Sequence, residues 1–325
     1  MEKRRLGNTD LEITRIGFGA WAIGGPAGES GWGKQDDKES IHALHRAFDL
    51  GINWIDTAPA YGLGHSEEVV GRAIQGKRDE LTIATKCGVV WNEGRTGIHI
   101  SLKAGSIRRE AEASLRRLNV EVIDLYQIHW PNPDEDVEEG WSAVADLIRE
   151  GKVRYGGVSN FSVAQIKRAQ VIHPVTSLQP PYSMIKRALE QELLAFCARS
   201  QIGIIAYSPM QSGILTDKFD RQWLARLGDK DWRKRDREFK EPRMSANLVL
   251  VEKLHLIASR YGRTVSQLAI AWVLRRPEVT AAIVGTRHPS QIEETAPAAG
   301  WELPSEAISE IDRLLEERER ALGDM

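Results

Sequence analysis

Four side chains stand where the sequence could do chemistry. Asn53-Trp54-Ile55-Asp56-Thr57-Ala58-Pro59-Ala60-Tyr61-Gly62 is an apolar run that rises to Asp56, breaks on Pro59 and presents Tyr61 beside a glycine. Leu81-Thr82-Ile83-Ala84-Thr85-Lys86 ends on a lysine, and Ile123-Asp124-Leu125-Tyr126-Gln127-Ile128-His129 ends on a histidine. A lysine closing an apolar strand needs a paired anion or an exposed rim. Taken singly, each residue has a plainer use: Asp56 as a turn former, Tyr61 in packing, His129 as a satisfied core histidine. Their conjunction at three strand ends is the signal. A phenol of ordinary pKa about 10 is a poor proton donor at neutral pH. The ammonium of Lys86 would stabilise the phenolate and bring Tyr61 toward its working range, with Asp56 keeping the lysine charged and oriented. His129 would hydrogen-bond and polarise a carbonyl oxygen. The set holds no Ser or Cys nucleophile and no cluster of metal ligands. It suits protonation of a developing alkoxide, which requires a hydride donor, and that partner would be a nicotinamide.

Such residues meet only if their strands run parallel in one sheet. Apolar runs fall near 15–19, 53–56, 81–86, 122–129, 153–158, 177–180, 202–207 and 280–284, with helical periodicity between them. Helices are expected over Ser40 to Leu50, Lys103 to Leu118, Val137 to Glu150, Ser162 to Val171 and Leu189 to Arg199, with Gly51, Gly151 and Gly203 as left-handed stops. Eight strands, each followed by helix, predict a single (β/α)8 barrel over residues 1–325. A doubly wound Rossmann sheet would instead need G-x-G-x-x-G after an early strand, which Gly17-Phe18-Gly19 and Gly24-Gly25 do not match. Residues 3–14 read as an N-terminal hairpin turning at Asn8-Thr9-Asp10, and Pro304 to Ala321 as a C-terminal helix. A long, charged segment, Ser208 to Arg243, follows the seventh run and is either a solvated loop or a lid. Helices are expected after it near Ala246–Tyr261 and Val265–Arg275, the second with a capping box of Thr264 and Gln267.

Bulk properties narrow the partners. A formal charge of −2 gives no reason to expect nucleic acid or an anionic membrane. No apolar run approaches the roughly 18 residues of a spanning helix, and the first residues lack the apolar core of a signal peptide. Only Cys87 and Cys197 are present, in no CxxC spacing, which fits a reducing cytoplasm.

The later strand ends suit a dinucleotide. Ser159, Asn160 and Gln179 place a hydroxyl and two amides where a carboxamide would bind, and Tyr207 offers a ring to stack on nicotinamide. Gly285-Thr286-Arg287, ahead of a helix holding Glu294, reads as a phosphate site.

From Lys3 to Leu315 the sequence resembles an aldo-keto reductase, most of all the bacterial general-stress type. Asp56-Thr57-Ala58-Pro59-Ala60-Tyr61-Gly62, Ala84-Thr85-Lys86, Asp124-Leu125-Tyr126-Gln127-Ile128-His129-Trp130, Gly157-Val158-Ser159-Asn160-Phe161 and Ala206-Tyr207-Ser208-Pro209 carry the resemblance. It implies Tyr61 as general acid/base, Lys86 and Asp56 as its tuning pair, and His129 as substrate orienter. It implies Trp21 near the nicotinamide, and Ser208, Met210, Gly213, Leu215 and Lys218 in a loop around the pyrophosphate. Thr286 and Arg287 would lie at the 2′-phosphate, Gln291 and Glu294 at the adenosine end. NADPH is the implied cofactor, with NADH the second choice, because many relatives carry an arginine where Gln291 stands. Asp217 replaces the usual glycine of Leu-Thr-Gly-Lys, a change expected to alter loop closure. The same fold also serves as a slow redox sensor or channel-regulatory subunit. A Schiff-base lyase using Lys86 is a third class. The expected partner is a small carbonyl compound, in a monomer or weak oligomer, with Trp21, Trp32, Trp91, Trp130 and Trp232 as candidate pocket walls.

Overall fold

The computed structural model describes residues 1–25, 31–92, 94, 97–228 and 231–323. Eight parallel strands close into a barrel: β3 (Ile16–Gly19), β4 (Trp54–Asp56), β5 (Thr82–Cys87), β8 (Ile123–Ile128), β9 (Val153–Ser159), β10 (Ser177–Gln179), β11 (Gly203–Tyr207) and β12 (Val279–Gly285). Closure comes from β12 pairing with β3, Gly285 opposite Gly19. All eight predicted strands are present. The predicted hairpin is β1 (Lys3–Arg5) paired antiparallel with β2 (Glu12–Thr14). Its Leu6, Leu11 and Ile13 pack with Trp54, Ala84, Leu125 and Ile205, so the hairpin plugs the barrel interior at the end away from Tyr207.

The helices around the barrel are α1 (Asp37–Asp49), α2 (His65–Ala73), α3 (Ala104–Leu118), α4 (Val137–Arg149), α5 (Val163–Gln170), α6 (Leu193–Arg199), α7 (Arg221–Ala225), α8 (Arg243–Arg260), α9 (Val265–Leu274), α10 (Pro289–Thr295) and α11 (Ser305–Gly323). Their inner faces supply a second apolar layer against the outer faces of the strands. The capping box expected on α9 is formed: Thr264 Oγ1 accepts the Gln267 N–H, and Gln267 Oε1 accepts the Thr264 N–H, each at 3.2 Å. Gly51 and Gly151 take the left-handed conformation that stops α1 and α4.

Gly203 departs from its expected role. Gln201, at φ 53°, is the left-handed residue after α6, and Gly203 begins β11. A side chain there would lie 2.5 Å from Leu6 Cδ1, so the glycine makes room for the barrel plug. Three elements exceed the sequence reading: α2, α7 within the segment read as a loop or lid, and the hairpin of β6 (Val89–Trp91) with β7 (Ile98–Ile100). Among the described residues no helix is long and apolar enough to cross a membrane.

Candidate active site

Parallel strands of one barrel end on the same rim, so β4, β5 and β8 deliver Asp56, Lys86 and the histidine after Ile128 to one place. Lys86 is fully buried, and its ammonium makes three hydrogen bonds: to Asp56 Oδ2 at 2.7 Å, the Thr57 carbonyl at 3.0 Å and the Tyr61 hydroxyl at 3.1 Å. Tyr61 itself follows the β4 strand in a tight turn. Gly62 holds φ 66° and lies so close to Gly24 that an added Cβ would meet its carbonyl oxygen at 1.9 Å. That contact locks the tyrosine loop against the turn after β3. His129 stands edge-on to Tyr61, ring centres 5.9 Å apart.

The electrostatics of the trio are asymmetric. Burial weighs against the Lys86 ammonium, but the Asp56 carboxylate and Tyr61 outweigh it and hold the lysine above its ordinary value. A lysine so held is an ammonium at neutral pH, which disfavours the Schiff-base reading. Tyr61 corrects the sequence expectation: burial, the larger effect, raises the phenol above 10, and Lys86 pulls it back only in part. The phenol therefore keeps its proton in the resting protein, ready to be given up when negative charge appears beside it. Burial, and then the Lys86 charge, push His129 well below its usual value. Its imidazole is neutral at working pH, a hydrogen-bond donor rather than a proton source. His129 Nδ1 is buried and makes no hydrogen bond within the protein.

A cavity of about 880 Å³ opens over this rim. Asp56, Tyr61, His129, Trp21, Ser159, Asn160, Gln179 and Tyr207 line it. So do Ser208, Met210, Gly213, Lys218, Gly285, Arg287, Gln291 and Glu294. Lys86 stands one layer behind, reaching the cavity through Tyr61. Two expected residues do not line it. Leu215 is buried in the core, and Thr286 is buried with an unpartnered hydroxyl. Of the five tryptophans expected as walls, Trp91 is absent from the lining and has the Arg117 guanidinium over its ring instead.

The carboxamide set is joined up. Tyr207 donates to Asn160 Oδ1 at 3.0 Å, Asn160 Nδ2 donates to Ser159 Oγ at 3.0 Å, and Ser159 donates to the Gln179 carbonyl at 2.8 Å. The amide of Gln179 donates to Asp56 Oδ1 at 2.7 Å. Further along, Gln211 and Ser212 are both left-handed (φ 45° and 56°), and the Gln211 N–H donates to the Ser208 carbonyl at 2.9 Å. Arg287 donates to Gln35 Oε1 at 2.7 Å and to the Lys34 carbonyl. Gln291 Oε1 accepts the Arg287 N–H at 2.8 Å, so this residue fixes the turn at the end of β12. Asp217 has a definite use: Oδ1 pairs with His255 and Oδ2 accepts the Val265 N–H, each within 2.9 Å, tying the loop to α8 and α9.

Sequence reasoning missed Gln127 and Arg233. Gln127, fully buried, points an amide at Asp56 Oδ1 at 3.4 Å and accepts from Gln179 at 3.3 Å. Its position two residues before His129, on the same face of one strand, was the available signal. Arg233 lines the cavity from the long segment after β11, where no periodicity marked it.

Comparison with known proteins agrees with the barrel fold. The family model described as "Aldo/keto reductase family" matches residues 15–316. The chain is 40% identical over 319 residues to "Aldo-keto reductase YhdN" of Bacillus subtilis, covering 97% of this chain and 94% of that protein. It is 32% identical to the "NADH-specific methylglyoxal reductase" of Escherichia coli, over 98% of this chain and all of the relative. Among solved structures, a glycerol dehydrogenase, AKR11B4, from Gluconobacter oxydans superposes with a TM-score of 0.88 at 35% identity, covering 98% of this chain and 96% of that one. The holo form of the aldo-keto reductase AKR11C1 from Bacillus halodurans gives 0.81 at 26% identity, over 97% and 96%. The chain belongs to the aldo/keto reductase family.

Proposed function

We propose, from the premise that the chain is an aldo/keto reductase, that it reduces aldehydes and ketones to alcohols with NADPH, reversibly, Tyr61 serving as general acid and base. The observation that carries this reading is the 3.1 Å hydrogen bond from the buried Lys86 ammonium to the Tyr61 hydroxyl, at the floor of a cavity of about 880 Å³. That volume lies in the range of ligand sites, and the linked amides and the arginine in its lining fit a dinucleotide. When bound, the nicotinamide supplies hydride. The chain supplies everything else. Neutral His129 donates a hydrogen bond to the carbonyl oxygen and orients it beside Tyr61. As the carbonyl carbon gains a hydrogen, its π pair moves to oxygen, which takes the Tyr61 proton. The phenolate left behind keeps the Lys86 hydrogen bond, and Asp56 keeps Lys86 charged. In the direction of alcohol oxidation the same phenolate accepts the hydroxyl proton.

Arg287 supports NADPH over NADH, since its half-buried guanidinium lines the cavity and is held in place by Gln35. Carbonyl-dependent NADPH oxidation, screened over aldehydes, ketones and quinones, tests the reaction. Tyr61→Phe should lower turnover by about 10²–10⁴-fold while dinucleotide binding is retained. Undiminished turnover in that variant would reject the assignment. Arg287→Ala should weaken NADPH more than NADH, and equal losses would remove the 2′-phosphate role.

A further inference from the structure

The hydrogen bonds beneath the rim form a closed ring with a direction. Asp56 gives Oδ2 to the Lys86 ammonium at 2.7 Å, which leaves Oδ1 facing two amides. Gln179 Nε2 donates to it at 2.7 Å and Gln127 Nε2 at 3.4 Å. The ring closes where Gln179 Nε2 donates its second hydrogen to Gln127 Oε1 at 3.3 Å. All three side chains are buried, none more than 3% exposed, so a bond lost here leaves a polar group short of a partner.

The carboxylate sets the direction. Asp56 has no hydrogen to give and can only accept. An amide oxygen turned toward Oδ1 would meet a like partial charge, so both amides present nitrogen. With Nε2 committed to Asp56, Gln127 has Oε1 left for Gln179. Both hydrogens of Gln179 are then in use, and its Oε1 alone accepts nothing from the described residues. The Gln179 backbone is fixed as well: its carbonyl accepts the Ser159 hydroxyl at 2.8 Å and the Asn160 N–H at 3.2 Å. Only the amide could turn over. Gln179 lines the cavity, so what it offers a ligand is an acceptor. An acceptor facing the carboxamide pairs with the amino side of that group and opposes a carboxylate in its place.

We propose that Gln127 and Asp56 are positioning residues for cofactor recognition: together they fix the Gln179 amide with its oxygen outward, so that the cavity selects a nicotinamide over a nicotinic acid dinucleotide. The proposal rests on the dinucleotide reading above and gives Asp56 a second role besides holding Lys86. Asp56→Asn reverses the ring. Lys86 still requires an oxygen at its contact, so the new amide nitrogen falls toward Gln179. Gln179 must then turn its oxygen inward, Gln127 turns with it, and Gln179 Nε2 faces the cavity. No bond of the ring is lost, but its outward group becomes a donor.

Tryptophan fluorescence reads binding without turnover, since Trp21 and Trp232 line the cavity. NADP+, NAD+ and their nicotinic acid counterparts are titrated into the wild type, Gln127→Leu, Gln127→Glu and Asp56→Asn, with thermal midpoints recorded alongside. The measure is the ratio of acid to amide dissociation constants, which cancels any loss common to both forms. The wild-type ratio should be about tenfold or more. Gln127→Leu frees a Gln179 hydrogen and should cut the ratio by about fivefold. Gln127→Glu, sharing one proton with Asp56, keeps both contacts and should stay within about twofold of wild type. Asp56→Asn should bring the ratio to about one or below. A purely structural role would move the midpoints and leave the ratio where it was. If Gln127→Leu does not fold, Asp56→Asn decides. A wild type that binds acid and amide forms alike, or a wild-type ratio in Gln127→Leu or Asp56→Asn, would overturn the proposal and leave the reductase reading standing. A Gln127→Glu ratio as low as that of Gln127→Leu would do the same. A wild type that binds none of the four dinucleotides would overturn both.

Discussion

Two buried ion pairs in this chain are nearly identical as pairs and differ in what they face. Asp56 and Lys86 meet at 2.7 Å, and Glu238 and Arg318 at 2.6 Å, with side chains no more than 4% exposed in either. What differs is where the remaining hydrogen bonds go. Lys86 spends one of its three on the Tyr61 hydroxyl, which faces the cavity. Arg318 spends the others on Asn247 and on Glu319, and Asn247 closes the circle with an N–H to the Glu238 carbonyl at 2.8 Å. The first network ends on a phenol that faces the cavity. The second ends on itself and ties the C-terminal helix to the segment after β11. A buried charge pair therefore marks chemistry only when one of its contacts is a titratable group open to a ligand.

The comparison breaks first at Lys86. Lys86→Met leaves Asp56 with hydrogen bonds from Gln179 and Gln127, while Tyr61 loses the cation beside its phenolate. The stability cost is of the same order as for any buried pair losing a partner, so turnover is compared per folded molecule. Turnover of carbonyl substrate should fall by about 10³-fold or more. A loss below tenfold, in steady-state kinetics over pH 6–9, would show that the pair is structural like its counterpart. The converse holds for Arg318→Met. Removing one partner of a buried pair costs about 3–5 kcal/mol. The lower end is expected here, since Arg243 keeps a contact to Glu238 at 3.1 Å. Urea unfolding should report that loss, with turnover per folded molecule within about threefold of wild type. A collapse of turnover with stability intact would erase the distinction.

What could be read from the sequence divides along similar lines. The barrel was legible because eight apolar runs recur between amphipathic helices, and the rim because Asp56, Lys86 and His129 each close such a run. The two networks around them were less so. Gln127 lies on the same strand face as His129, yet nothing in its type says that its amide meets Asp56. Glu238 and Arg318 are 80 residues apart in sequence, and Arg318 falls within Glu316-Glu317-Arg318-Glu319-Arg320, which reads as a solvated face. Its burial follows from packing of α11 on α8, a tertiary fact without a local signature. The net direction of the Tyr61 shift was misread for a related cause: spacing reveals the neighbouring cation, but not the depth of burial that outweighs it.

A third buried acid sharpens the contrast, because it has no cation of its own. Glu110 accepts the Gly88 N–H at 2.8 Å and the Ser106 hydroxyl at 3.0 Å, on the outer side of β5 from the lysine. Arg117, the nearby cation, is taken by Glu67 at 2.6 Å. Burial, only partly opposed by the Gly88 and Ser106 contacts, raises the Glu110 carboxyl to about 7. In the unfolded chain the group releases its proton near pH 4.3, so between about 4.3 and 7 the native state holds more protons than the unfolded one. Stability from this site therefore falls as pH rises through that window, by at most about 4 kcal/mol. Glu110→Gln removes the titration while retaining an oxygen for Gly88. Comparing unfolding free energies at pH 5 and pH 8, the variant should gain about 2–3 kcal/mol relative to wild type across the interval. A difference between the two proteins that does not change with pH would mean that Glu110 is ionised throughout and shares Arg117 with Glu67. That would make it a third paired charge rather than the unpaired one its contacts describe.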